Sequence, residues 1–189
     1  MSDKALTAEI PQEHFTPREM MKMALCIAFC AVSAFISFPL PFTPGLVTAL
    51  TIALTVTALV LPPRLVFITV SSYLFLGAIG LPIYPGGAGG LGRILGPTGG
   101  FYIGWPFVCA LVSLLKGSAI SLRRYTLVSV IVGVPLTYVG GLISMMLVLQ
   151  LDLWQGLAMA VFPYIPGDIF KALLAAFIGY RVNKALPLR

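Results

Sequence analysis

From Met20 onward the chain alternates between long apolar runs and short breaks rich in proline and glycine. A helix needs about 20 mostly apolar residues to cross the hydrocarbon core of a bilayer. The first run covers about 20–38, and its start is well marked. Thr16-Pro17-Arg18-Glu19 fits a capping box, with Thr16 as N-cap, Pro17 at the first helical position and Glu19 reaching back. FPLPFTPG (38–45) ends it. A second run, short and rich in threonine, covers about 46–61; Pro62-Pro63-Arg64 turns the chain, and a third covers about 65–79. The pattern then fails over 80–100, GLPIYPGGAGGLGRILGPTGG, which holds nine of the chain's 19 glycines. A fourth run covers 100–115 and is followed by the basic stretch LKGSAISLRR. The fifth, 125–149, carries Gly133-Val134-Pro135, which predicts a kink. DLWQGLAMAVF (152–162) predicts a short helix in the membrane interface, with Asp152 as N-cap and Trp154 at the headgroups. PYIPGD (163–168) breaks the chain again, and a sixth run covers 168–181. These elements predict an all-α integral membrane protein. It has six transmembrane helices, with a re-entrant or folded-in loop between helices 3 and 4. Residues 16–189 form one membrane domain, and 1–15 a polar tail.

Composition agrees. Of the 189 residues 59% are hydrophobic and 10% charged, against about 25% charged in a soluble domain; mean hydropathy is +1.00. No stretch is left for a soluble catalytic domain. Twelve Lys and Arg against six Asp and Glu would suit nucleic acid, but their placement marks topology instead. Lys4, Arg18, Lys22, Arg64, Lys116, Arg123, Arg124, Arg181, Lys184 and Arg189 all fall on one side of the six-helix map. That side is expected to be cytoplasmic and to hold both termini of a multi-pass membrane protein, with no nucleic-acid partner. Cys26, Cys30 and Cys109 lie inside apolar runs and are expected to be small packing residues, without a disulfide or metal. The single histidine, His14, sits in the tail, which disfavours a histidine-based catalytic or metal centre. The tail lacks the apolar core of a signal peptide.

Four ionisable residues stand outside this map: Arg93, Asp152, Asp168 and Lys171. Burying a charge at membrane depth costs about 2.5–3.5 kcal/mol on insertion scales, so such residues pair or face a cavity. Asp168 and Lys171 are i,i+3 neighbours at the start of the sixth helix, on one face. A capping aspartate with a nearby lysine is the plain reading of that pair alone. Arg93 is harder to dismiss, because irregular backbone at membrane depth survives only inside protein or beside a wet cavity. Together the two broken segments and the three charges predict an outward-facing pocket of net charge +1. It suits a ligand with one negative group and an N–H donor for Asp168. Tyr84, Phe101, Tyr102, Trp105 and Tyr164 lie in or beside the breaks and are candidate walls, although Tyr and Trp also belong at membrane interfaces. Gly87-x-Gly89-x-x-Gly92 formally matches a dinucleotide fingerprint but lacks its strand, its βαβ unit and its acidic partner. Gly92-x-x-x-Gly96-Pro97-Thr98 lacks the lysine of a phosphate loop. No nucleotide site and no cofactor is expected.

GLPIYPGGAGGLGRILGPTGGFYIG (80–104) followed by PYIPGDIFKALLA (163–175) resembles the BioY family, the biotin-binding S components of energy-coupling factor (ECF) transporters. The likeness covers the whole chain beyond the tail. It implies a membrane-embedded subunit, not an enzyme, that captures biotin outside the cell for ATP-driven uptake. Asp168 would accept from a ureido N–H, and Lys171 and Arg93 would donate to the carbonyl or the carboxylate; Tyr84, Trp105 and Tyr164 are expected to touch the ligand. The resemblance also implies docking on an ECF module, a transmembrane coupling protein with two cytoplasmic ATPases, through small residues of helix 1. Ala24 and Ala28 offer that face, continued by Ala31, and Ala172 and Ala176 on helix 6 are a rival stripe. The alternative is a channel or facilitator for a small anionic solute with 80–100 as a re-entrant filter. A small membrane enzyme built on Asp168 would lack a second titratable group.

Overall fold

The computed structural model describes residues 15–185. Nearly all of the polar tail, with Lys4 and His14, and the C-terminal Arg189 lie outside the described residues.

Helix α1 spans Pro17–Phe35 behind the expected capping box: Glu19 N donates to Thr16 Oγ1 (3.2 Å) and Thr16 N to Glu19 Oε2 (2.9 Å). The Thr16 donors hold the Glu19 carboxyl below its ordinary range. Helix α2 spans Leu50–Val60 and α3 Pro63–Ala78. Pro63 sits in the first turn of α3, where its missing N–H costs nothing. A one-turn helix α4 (Leu91–Leu95) precedes α5 (Gly99–Leu115). Helices α6 (Leu122–Val128) and α7 (Val134–Leu149) join through a π-helical turn at Ser129–Gly133 into one helix of 28 residues. The π turn lies directly before Val134-Pro135, where the sequence predicts a kink. Helix α8 (Leu153–Ala160) has Asp152 as N-cap, in a capping box with Gln155, and Trp154 is exposed. It meets α9 (Ile165–Ala185) at a bend of 47°.

Two features depart from the sequence pattern. The break at 38–45 is the tip of a small hairpin, in which β1 (Ser37–Pro39) pairs antiparallel with β2 (Leu46–Thr48). Strands of three residues are too short to show alternation. The sixth helix begins three residues early, at Ile165, because proline and glycine are tolerated in a first turn, where no intrahelical donor is lost.

The core is formed by α1, α2, α3, α5 and α9 around Leu50, Leu59, Val66, Tyr73 and Ala176. Helices α5 and α7 cross closely enough that a Cβ at Gly100 would strike the Gly140 carbonyl, the close approach that small residues permit between membrane helices. The 28-residue α6–α7 helix is long and apolar enough to cross a membrane, as is the bent α8–α9 pair taken together; α2, α3 and α5 are apolar but shorter.

The start of α1, the end of α2, the end of α5 and the end of α9 gather at one end of the bundle, beside Arg18, Lys22 and Lys116. At this basic end Lys116 is buried. It donates to the carbonyls of Ala58 (3.0 Å), Leu59 (2.8 Å) and Leu61. Ser113 adds a bond to Leu61 O (2.6 Å) and Asn183 one to Leu59 O (2.9 Å). Orphan carbonyls at the end of α2 are thus satisfied by side chains of α5 and α9.

Candidate functional site

The opposite end of the bundle holds a cavity with about 650 Å³ of empty space, its open mouth included. Segments far apart in sequence line it. The hairpin tip contributes Pro44, Gly45 and Leu46; α2 contributes Thr51, α4 Arg93, α5 Phe101, Tyr102 and Trp105, and α7 Thr137 and Tyr138. Tyr164, Asp168 and Lys171 come from the start of α9 and the residue before it. Three of the four charges singled out by topology, Arg93, Asp168 and Lys171, therefore face one space, with a formal balance of +1, while the fourth, Asp152, caps α8.

The glycine-rich segment reaches this position by folding against α1 and α3. Tyr84 and Ala88 exchange backbone bonds (2.9 and 3.2 Å) across a tight turn at Gly86 and Gly87, whose φ angles of 78° and 69° favour glycine. Gly86 N donates to Ala34 O (3.3 Å) and Gly90 N to Gly77 O (2.7 Å). This pins the loop at both ends of the turn and leaves Arg93 on α4 beside the cavity.

Asp168 is doubly held. Its Oδ1 accepts from Lys171 Nζ (3.0 Å) and its Oδ2 from Tyr138 Oη (2.8 Å). Both side chains of the ion pair are largely withdrawn from solvent, at 14% and 15% exposure, so water screens the pair far less than it would a surface pair. Tyr164 Oη lies 3.3 Å from Thr43 Oγ1, and a Cβ at Gly45 would run into the same phenol, so the hairpin tip rests on Tyr164. Trp105 is 6% exposed, and its Nε1 has no hydrogen-bond partner among the described residues.

Of the six residues expected to touch a ligand, five line the cavity: Arg93, Trp105, Tyr164, Asp168 and Lys171. Tyr84 does not. It is fully buried beneath the cavity wall, with its ring against Tyr102 (4.8 Å between centroids) and Tyr73 (6.0 Å), and its hydroxyl donates to Leu74 O. The fold of the loop turns Tyr84 inward, over Gly77, where a Cβ would collide with its ring. Tyr138 went unnoticed in the sequence. It sits inside an apolar run with no local signal, and its tie to Asp168 spans 30 residues. Among the described residues no group of three or more His, Cys, Asp and Glu could hold a metal ion.

A second space, with about 530 Å³ of empty volume, its opening included, adjoins the first between α2, α5, α7 and α9. The two share Thr51, Trp105, Thr137, Tyr138, Asp168 and Lys171, which form the floor of one and the ceiling of the other.

On α1, Ala24 and Ala28 are exposed, beside the exposed Leu25 and Val32, while Ala31 turns partly inward. On α9, Ala172 and Ala176 are buried.

A family model described as the BioY family matches residues 6–188. The chain belongs to the BioY family. It is 33% identical to the probable biotin transporter BioY of Bacillus subtilis (strain 168), over 90% of this chain and 92% of that protein. It is 29% identical to the biotin transporter BioY of Thermotoga maritima, over 88% and 96%. The fold matches the crystal structure of an S-component for biotin from an ECF-type ABC transporter, with a TM-score of 0.83, 27% identity, and coverage of 90% of this chain and 95% of that one. Membership of BioY makes this a helical membrane protein of transport, not an enzyme.

Proposed function

We propose that this BioY protein is the membrane-embedded S component that captures biotin outside a bacterial cell and delivers it by ATP-driven uptake through an ECF transporter. The observation that carries the reading is the convergence of Arg93, Asp168 and Lys171 on one aromatic-walled cavity, in a chain whose relatives are named biotin transporters. Biotin brings a carboxylate, a ureido carbonyl and two ureido N–H groups, which suits two cations and one carboxylate. Asp168 accepts from a ureido N–H; Lys171 and Arg93 serve the oxygens; Trp105 and Tyr164 pack on the ring system. A buried ureido held by charge-assisted bonds discriminates strongly, because an analogue without it leaves site charges unpaired.

The chain crosses the bacterial cell membrane six times, with both termini and the basic end in the cytoplasm and the cavity facing outward. The partner is an ECF module of one transmembrane coupling protein and two cytoplasmic ATPases. Exposure of Ala24 and Ala28 supports α1 as the docking face, since the rival stripe on α9 is already used inside the bundle.

The test is a titration of the protein, purified in detergent, with biotin, desthiobiotin and thiamine, followed by calorimetry or tryptophan fluorescence. Biotin is expected to bind at submicromolar Kd and thiamine not at all. No biotin binding below micromolar sinks the proposal, and flux of biotin through liposomes holding this chain alone favours a facilitator instead.

A further inference from the structure

The floor shared by the two spaces contains three hydroxyls, and each has already spent its proton. Thr51 Oγ1 donates to Thr48 O (3.3 Å) and Thr137 Oγ1 to Gly133 O (2.8 Å), each within its own chain segment; Tyr138 Oη donates to Asp168. A hydroxyl has one proton and two lone pairs. With those bonds kept, what these groups offer a ligand is acceptor capacity; the Thr51 bond, at 3.3 Å, is the longest of the three. The donors left at the floor are of another kind: the Trp105 Nε1–H, which is buried without a partner, and the Lys171 protons not pointed at Asp168. Acceptors thus lie on α2 and α7, a donor on α5, and both kinds on α9, where Asp168 sits beside Lys171.

Back-bonding by threonine is common in helices and marks no site by itself. Thr69 does the same toward Leu65 O (2.6 Å), yet it is sealed in the core. Thr51 and Thr137 differ because both line both spaces, on either side of the Asp168–Lys171 pair. The orphaned indole N–H supplies the second observation: a buried donor left without an acceptor is costly, and a ligand oxygen at the floor would relieve it.

We infer that Thr51 and Thr137 are specificity-determining residues, acceptor-only contacts that select a ligand head carrying N–H donors beside a carbonyl. This rests on the proposed biotin reading and deepens it. A head of that kind gives one N–H to Asp168 and the other to the Thr51–Thr137 pair, and turns its oxygen to Trp105 and Lys171. A ring that offers only acceptors on that edge meets lone pair against lone pair and is rejected.

The test replaces each threonine by valine, which keeps the shape and removes the oxygen, and by serine, which keeps the oxygen. Wild-type binding of biotin is measured first by calorimetry in detergent; if it is absent, the biotin reading falls and this inference with it. Given wild-type binding, the double variant Thr51→Val with Thr137→Val is expected to weaken biotin about 3- to 10-fold, the range for one neutral hydrogen bond, and each single valine variant by part of that. Each serine variant should stay within about twofold, since the hydrogen bond is retained. 2-Thiobiotin, which keeps both N–H groups and loses the carbonyl oxygen, should suffer the same loss from valine but be nearly indifferent to Trp105→Phe, which weakens biotin. The ligand-free melting temperature reports whether a variant is merely damaged. Valine variants that bind biotin as the wild type does, or serine variants that lose as much as valine, overturn the inference.

Discussion

Lys116 and Lys171 are both withdrawn from water at opposite ends of one bundle, and they are employed in opposite ways. Lys116 has three ammonium protons and three carbonyl acceptors at the end of α2. Nothing is left over, so it closes a helix end. Among the described residues Lys171 has one hydrogen-bond partner, Asp168 Oδ1, and it faces a cavity. Its spare protons and the lone pairs of Asp168 stand beside that cavity, as does the Trp105 indole, which has no partner among the described residues. A buried polar group that is fully satisfied rigidifies a fold, and one left partly unsatisfied beside a cavity awaits a ligand. Burial and charge alone do not tell the two lysines apart; counting the remaining donors does.

The largest expected effect breaks the basic end. Lys116→Met leaves the carbonyls of Ala58, Leu59 and Leu61 short of donors and should cost about 3 kcal/mol of stability, the scale of several lost buried hydrogen bonds. Thermal unfolding in detergent measures it, and biotin affinity of the folded fraction should stay within about twofold, far below the value of one hydrogen bond to charge. If affinity falls in step with stability, the two ends are not independent. Next, Asp168→Asn should weaken biotin by at least about 1.5 kcal/mol, the low end for a hydrogen bond to a charged group, with little change in melting temperature. A variant that folds and binds normally removes Asp168 from the site.

The tyrosines sharpen the same contrast at smaller scale. Tyr138→Phe removes one of the two donors on Asp168 and should reduce biotin affinity about tenfold. Tyr84→Phe removes only the bond to Leu74 O and should cost about 1 kcal/mol of stability with affinity intact. Calorimetry paired with melting curves separates the two, and equal affinity losses would place Tyr84 at the cavity after all. Ala28→Leu should leave the isolated protein unchanged in stability and biotin binding. Its effect should emerge only in co-purification with the ECF module, where added bulk on a close helix contact blocks docking; normal assembly would move the docking face away from α1.

Much of the helical layout was legible in the chain, because apolar runs, capping residues and prolines act locally. Thr16 and Asp152 cap where the sequence says they do, and a π turn at Ser129–Gly133 stands directly before Val134-Pro135 in the fifth run. The hairpin at 37–48 was not legible, since its pairing is too short to leave a period. Arg93, Asp168 and Lys171 could be picked out together because membrane topology makes a misplaced charge conspicuous. Tyr138, Thr51 and Thr137 could not, because tyrosine and threonine are ordinary inside apolar helices.

The chain by itself thus determined the helices, the basic flanks and the four anomalous charges, all set by hydropathy and charge along one dimension. Only the tertiary structure decided which groups still have a proton or a lone pair to give. It turned Tyr84 into the core, spent Lys116 on backbone carbonyls, brought Tyr138 to Asp168 and left the Trp105 indole unpartnered. Hydrogen-bond satisfaction is a property of neighbours in space, and those neighbours come from segments as far apart as the hairpin tip and α9.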